Sequence, residues 1–224
     1  MSSLFPLGML TDHEIAALEA AWAPARSAGV LGSATVQDLW EHTAGYISAV
    51  CSSFLVSQED FDGRIVDVGT GAGVPGLLMA QALPCAEVTL LDAAERRLDH
   101  VRRGRRALEL EERTTVLHGR VDELAHQRLL REQFDVAVAR LLAEPAETLE
   151  LLLPLVRNGG LLVVSARADQ LPQWRDAAAG RLPIASVTVS QGHGCFVALR
   201  RDGALHPDWP RRAKARTRTP LLPR

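Results

Sequence analysis

Ten consecutive residues, Asp67-Val68-Gly69-Thr70-Gly71-Ala72-Gly73-Val74-Pro75-Gly76, carry the densest chemical signal in this chain of 224 residues. Glycine accepts positive φ and lets a ligand approach the backbone with no Cβ in the way. The apolar run 64–68 before this segment reads as a buried strand, and the pattern at 75–83 after it reads as a helix. A glycine turn at the carboxyl end of a strand lies where open α/β sheets bind ligands. Asp92 ends the next predicted strand, 23 residues past Gly69. A carboxylate there can accept hydrogen bonds from both hydroxyls of a ribose. Two ligand classes fit. Gly71 to Gly76 matches the G-x-G-x-x-G form of dinucleotide sites. S-adenosyl-L-methionine is the other, and Asp67 favours it, because a carboxylate repels a nearby pyrophosphate and suits a cationic amino-acid group. The block 134–140, followed by a helical pattern and an N-G-G-x-L strand, falls where the fourth strand of a methyltransferase lies. A bare strand-to-helix corner, a nicotinamide-dependent dehydrogenase and a non-catalytic cofactor- or RNA-binding module are the competing readings.

Other reactive residues are sparse. The seven histidines show no H-x-x-x-H or H-E-x-x-H spacing, and Cys51, Cys85 and Cys195 form no C-x-x-C pair, so no metal is expected. No serine sits in a G-x-S-x-G elbow. An acceptor that must lose a proton would need a base, and Glu41, His42, Glu144 and His193 are the candidates. Trp40 and Tyr46 flank His42 and serve either as core or as stacking platforms for a base.

These residues need a scaffold. Thr11-Asp12-His13-Glu14 is a capping box, followed by Ile15, Leu18 and Trp22 at helical spacing. A second helix is expected from near Ser33, with Leu39, Trp40, Ile47, Val50 and Phe54 on its pattern. Strands are expected at 64–68, 87–91, 114–117, 134–139, 161–165, 185–190 and 195–200. Helices are expected at 75–83, 93–110, 145–156 and 171–180, with a stop and turn at Asn158-Gly159-Gly160. Strands alternating with helices imply a parallel sheet covered on both faces. The last two strands, around Gly192-His193-Gly194, make a hairpin and one antiparallel edge. The chain thus divides into a helical lead-in (1–60), an α/β ligand-binding region (61–200) and a tail (201–224).

Composition supports one domain: 47% of residues are apolar and 23% charged, with a net charge of −2. No apolar run approaches the roughly 20 residues that cross a bilayer, and the first ten residues lack a basic leader, so a cytoplasmic protein is expected. The tail from Arg200 carries about +6, leaving about −8 for the rest. Such a tail either neutralises phosphates of a nucleic acid or packs along the acidic body.

Five segments are similar to the glucose-inhibited division protein B family, methyltransferases of guanine N7 in small-subunit ribosomal RNA. They are IVDVGTGAGVPGLLMA (65–80), VTLLDAAERRLDHVRR (88–103), VLHGRVDEL (116–124), FDVAVARLLAE (134–144) and PLVRNGGLLVV (154–164). The tail DWPRRAKARTRTPLL (208–222) resembles the family's arginine-rich end. The resemblance implies a Rossmann-like class I methyltransferase with a seven-stranded, mostly parallel sheet, S-adenosyl-L-methionine as cofactor and ribosomal RNA as partner. It places Asp67, Gly69, Gly71, Gly73 and Val74 along the cofactor and Asp92 on its ribose. Val121 and Asp122 would frame the adenine, and Arg140 would stand by the transfer site. The chain departs from the family on the substrate side. Residues 20–45 lack an N-L-T motif, and Val164-Ser165-Ala166-Arg167-Ala168 replaces a lysine-glycine pair. A relative that methylates a small molecule or a peptide is therefore the alternative.

Overall fold

The computed structural model describes residues 8–177 and 182–222. Elements follow in chain order as α1 (Asp12–Ser27), α2 (Val36–Phe54), β1 (Arg64–Val68), α3 (Gly76–Ala82), β2 (Glu87–Asp92), α4 (Glu95–Ala107), β3 (Thr114–His118), α5 (Val121–Leu124), β4 (Phe134–Arg140), α6 (Pro145–Leu152), β5 (Val156–Ser165), α7 (Leu171–Asp176), β6 (Ile184–Gly192), β7 (Gly194–Arg201) and α8 (Ala213–Arg218). The strands form one seven-stranded sheet in the order β3-β2-β1-β4-β5-β7-β6. The first five are parallel and β7 is antiparallel to both neighbours. This is the Rossmann-like class I methyltransferase architecture. The chain order reverses direction between β1 and β4, so the crevice beyond their carboxyl ends is the switch point.

Strand alternation sorts the side chains into two cores. Ile65, Val88, Leu90, Val136, Val138, Leu161 and Val163 face the side of α1 to α4. Val66, Val68, Leu91, Ala137, Ala139, Leu162 and Val164 face the side of α6 and α7. The lead-in helices contribute Leu18, Trp22, Val36, Tyr46 and Ile47 to the first core, so they are built into the sheet's own packing. Both begin with capping boxes. Glu14 N–H donates to Thr11 Oγ1 at 3.2 Å and Asp38 N–H donates to Thr35 Oγ1 at 3.1 Å. The second box starts α2 at Val36, three residues later than the apolar pattern alone implies. Gly45 lets α2 lie against β7: a Cβ there would stand 2.0 Å from Cε2 of Phe196.

The region 145–165 departs from expectation. The α-helix ends at Leu152, and Leu153–Leu155 forms a 3₁₀ turn containing Pro154, which has no N–H to continue the ladder. Asn158-Gly159-Gly160 is no stop before a strand, because β5 already runs from Val156. Phe134 pairs with Val156 and Val136 with Leu161, so residues 157–160 form a bulge opposite Asp135. Gly159 supplies a φ of +76°, and Arg157 Nε donates to Asp135 Oδ1 at 2.6 Å across the bulge. The expected end of the helix at 178–180 lies outside the described residues, as do residues 1–7, where no leader is expected, and Arg224 of the tail.

Candidate functional site at the switch point

The glycine turn leaves β1 as predicted, and Gly69, Gly71 and Gly73 have φ of +73°, +60° and +101°. Gly69 N–H and Thr70 N–H both donate to the Leu91 carbonyl, at 2.8 and 3.0 Å, which ties the turn to the end of β2. Above Gly69, a Cβ would come within 2.8 Å of Leu142 Cδ1 from the loop after β4. A Cβ on Gly71 would meet nothing within 4 Å, so the turn opens at that residue. Val74 is buried in the first core, beneath the turn.

Asp67 is 0% exposed. Its Oδ2 accepts from Thr70 Oγ1 at 2.6 Å and from Gly76 N–H at 2.8 Å, while Oδ1 has no partner. Burial pushes its carboxyl up to about 6, and the Thr70 and Gly76 hydrogen bonds only partly oppose this. Asp67 therefore braces the turn from below and is not displayed on the open face. The Thr70 hydroxyl is a member of the site that the glycine pattern alone does not single out. Asp92, 3% exposed, accepts from Gly71 N–H through Oδ2 at 3.0 Å and from Ala94 N–H through Oδ1 at 2.8 Å. An ionised carboxylate has about four lone-pair positions, so both oxygens retain acceptor capacity.

Val121 and Asp122 open the short α5 beyond β3, on the far side of Asp92. The Asp122 carboxylate is already engaged. Arg120 donates to it from Nε at 3.0 Å and from Nη2 at 2.9 Å, and Arg216 of α8 donates from both Nη atoms at 3.2 Å. Burial works against the charge, but these guanidinium bonds outweigh it and hold the carboxyl below the usual range. The tail thus packs along the acidic body. Arg216 also bonds Glu147 at 3.1 Å, and Arg211 forms a bidentate pair with the buried Glu150 at 2.7 and 2.6 Å. Neither pairing has a local sequence signal, since the partners lie 61 to 94 residues apart.

Arg140 ends β4, half-buried, and among the described residues its guanidinium has no hydrogen bond or ion pair. Its charge acts on Asp67, Tyr46 and His42. Tyr46 is fully buried and ties α2 to the sheet, donating to the Ala139 carbonyl at 3.0 Å and accepting from Ser165 N–H at 3.2 Å. Trp40 is also buried, so both aromatics are core and neither is a platform for a base. His42 packs on Phe196 and Tyr46, with ring centroids 4.9 and 5.8 Å away. Its Nδ1 is 3.0 Å from the His193 carbonyl, which only accepts, so Nδ1 carries the proton and Nε2 keeps its lone pair. Burial lowers the His42 pKa, and the positive charge of Arg140 adds to this against the His193 hydrogen bond. His193 Nδ1 lies 3.2 Å from Glu41 Oε2.

Beside the turn, a cavity of about 200 Å³ opens beyond the ends of β4 and β5. Leu142 joins the two features, since it covers Gly69 and also lines the cavity. Leu141 next to it is 77% exposed with a φ of +52°, in the left-handed region, as are Leu55, Glu109 and Glu132 elsewhere in the chain. Among the described residues, no group of three or more His, Cys, Asp or Glu is placed to hold a metal ion. None of the described helices is long and apolar enough to cross a membrane.

Solved methyltransferases share this fold. An O-methyltransferase from Bacillus cereus in complex with SAH covers 86% of this chain and 93% of its own, at 15% identity and a TM-score of 0.61. The O-methyltransferase TomG from Streptomyces achromogenes covers 87% and 92% at 14% identity and a TM-score of 0.58. At such identities the likeness shows the fold. Sequence relatives are nearer. A ribosomal RNA small subunit methyltransferase G from Alkaliphilus metalliredigens is 34% identical over 123 residues, 55% of this chain and 49% of the relative. One from Synechococcus sp. strain RCC307 is 32% identical over 167 residues, 70% of each. The chain spans about half the length of the first curated relatives it matches. Residues 23–180 match the family described as GidB, rRNA small subunit methyltransferase G, and the chain belongs to that family.

Proposed function

We propose that this protein is an S-adenosyl-L-methionine-dependent methyltransferase that modifies N7 of a guanine in small-subunit ribosomal RNA, in the cytoplasm. The observation that carries the reading is the open glycine turn with Asp92 beneath it, at the switch point of a chain from this family. The residues present fit the cofactor. Gly71 leaves space where a side chain would otherwise stand, and Asp92 retains lone pairs for ribose hydroxyls. Gly69 and Gly73 shape the turn, and Asp67 and Val74 support it from beneath. Asp122 would take the adenine amino group with the acceptor capacity left beside Arg120 and Arg216, and Val121 would supply apolar surface beside it. When bound, the cofactor would supply an electrophilic methyl group carried on a sulfonium.

The chain's own residues then have three tasks. Gly69 lets Leu142 of the loop after β4 pack closely over the turn, where a Cβ would stand 2.8 Å from Leu142 Cδ1. Arg140 holds an unpaired positive charge there and draws in an anionic group. Alignment of acceptor and methyl accounts for the acceleration, because the N7 lone pair is free at neutral pH and no proton has to leave.

Labelled methyl transfer to small-subunit RNA at increasing salt tests the reading. A guanine-N7 product whose formation weakens with salt supports it; cofactor binding without transfer supports a non-catalytic module instead. A second reading, a small-molecule or peptide acceptor, is favoured by two observations. Arg211 and Arg216 are consumed by internal pairs, and His42 holds a bare Nε2 that could take a proton from a hydroxyl. Among the described tail residues, Arg212, Lys214 and Arg218 remain exposed without a partner. Their triple replacement by glutamine discriminates better than deletion of 208–224, which would leave Glu150 buried and unpaired. An RNA acceptor predicts a loss of RNA affinity in that variant, and a small acceptor predicts salt-insensitive, unchanged turnover.

A further inference from the structure

The C-terminal tail reaches the end of the sheet that carries the cofactor residues. Gly119, between β3 and α5, donates its N–H to the Asp92 carbonyl at 3.1 Å, so α5 and its Asp122 begin beside the strand end that holds Asp92. Two guanidinium groups grip the Asp122 carboxylate, and they use its oxygens unequally. Oδ2 accepts from Arg120 Nη2 at 2.9 Å and from Arg216 Nη1 and Nη2 at 3.2 Å each. Oδ1 accepts from Arg120 Nε at 3.0 Å. A carboxylate oxygen has two lone pairs, so Oδ2 is filled and the open acceptor position is on Oδ1. The two arginines also differ in what holds them. The Arg120 side chain is 57% exposed, and an exposed pair of this kind contributes little. The Arg216 side chain is 4% exposed, and it also donates from Nε to Glu147 Oε1 at 3.1 Å and to the Arg211 carbonyl. Arg211 is itself seated on the buried Glu150. A continuous set of bonds therefore runs from α6 through the tail to Asp122.

We propose that Arg216 is a positioning residue for the cofactor: it fills Oδ2 of Asp122 and so leaves Oδ1 for the adenine amino group, which makes the basic tail part of the S-adenosyl-L-methionine site. The proposal rests on the cofactor reading above and adds to it a residue 94 positions away from the carboxylate it orients. Arg216 touches no reacting atom and acts through Asp122. Without it, Asp122 keeps only the exposed Arg120 as a partner, and its carboxylate is free to turn. The coupling is reciprocal by linkage. If a seated tail raises affinity for the adenine amino group, the bound amino group raises the seating of the tail by the same factor.

The test uses the full chain with S-adenosylhomocysteine and its 6-deamino analogue, which carries purine in place of adenine. Isothermal titration gives the affinity of each compound for wild type and for Arg216→Gln. A site built to hydrogen-bond an N–H rejects a ligand that lacks it, so wild type should bind the adenine compound about tenfold tighter than the analogue. Arg216→Gln should erase that preference by weakening the adenine compound and leaving the analogue unchanged. An arginine that only seats the tail would weaken both alike. Wild type by itself gives a second readout. Lys214 of α8 is exposed and is the only lysine in the chain, so a lysine-specific protease cuts at one bond, and its rate reports how often α8 lifts from the body. Saturating S-adenosylhomocysteine should slow that cut by about the factor seen in the affinities, and the saturating analogue should not. This measurement decides the matter even if Arg216→Gln does not fold. An unchanged preference in Arg216→Gln, or equal protection of Lys214 by the two compounds, overturns the proposal. Equal affinity of wild type for both compounds overturns it as well but leaves the cofactor reading standing, since both still bind. Binding of neither compound removes the cofactor reading and the proposal with it.

Discussion

Replacing Glu150 by glutamine tests whether the basic tail is a strap or a free arm. Glu150 is 1% exposed, and its carboxylate accepts three hydrogen bonds from Arg211: from the backbone N–H at 2.8 Å, Nε at 2.7 Å and Nη2 at 2.6 Å. A glutamine side chain would keep the shape but lose the charge, and its NH₂ would point at a guanidinium that also only donates. Breaking a buried ion pair by removing one partner costs about 3–5 kcal/mol, because the other charge stays behind. That is a large fraction of the about 5–15 kcal/mol that holds a domain together. For a chain of this size it corresponds to a fall in melting temperature of about 6–20 °C. Urea unfolding at pH 7 is the assay: the midpoint should drop with little change in slope. High salt should not reproduce the effect, since a buried pair is weakly screened. An unchanged midpoint would show that the tail is not seated on the body and would return Arg211 and Arg216 to the pool available for RNA.

Two further predictions concern the turn and the end of β4. Asp67 is held up to about 6 by burial, against an ordinary 3.8, so between about pH 4 and 6 the folded protein keeps a proton that the unfolded chain has lost. That contribution is complete below about pH 4 and is lost as pH rises through about 6, a change of about 3 kcal/mol. Wild-type protein should therefore lose urea stability from pH 4.5 to 7 by more than Asp67→Asn does, and equal losses would contradict the buried placement. Arg140 makes no hydrogen bond or ion pair among the described residues, so Arg140→Ala should leave the urea midpoint within about 0.5 kcal/mol of wild type. Its methyl-transfer rate should fall at least tenfold, and an unchanged rate would remove Arg140 from the transfer site.

The parts of this molecule legible in the sequence are those encoded by neighbours along the chain. The capping box at Thr11, the alternating cores of β1 and β4, and the hairpin at Gly192-His193-Gly194 all follow from local pattern, and each is present in the fold. The glycine turn is equally readable, since positive φ at Gly69, Gly71 and Gly73 is a backbone property of those residues. What stays hidden depends on partners distant in sequence. Nothing near Asp122 announces Arg216, and nothing near Glu150 announces Arg211. The bulge at 157–160 looks like a turn locally, because only the register against β4 shows the strand continuing on both sides. Asp67 reads as a ligand from its place before the glycines, yet the closeness of Thr70 and Gly76 turns its carboxylate inward.

If the turn after β1 and the carboxylate of Asp92 form the seat of S-adenosyl-L-methionine, that compound must bind, and Asp92 must matter to its affinity. Isothermal titration of S-adenosyl-L-methionine into wild-type protein and Asp92→Ala, with NAD as the competing ligand class, tests this most directly. The expected result is saturable binding to wild type, at least tenfold weaker binding to the variant (about 1.4 kcal/mol) and no heat with NAD. Silence with S-adenosyl-L-methionine, or tight binding of NAD in its place, would contradict it.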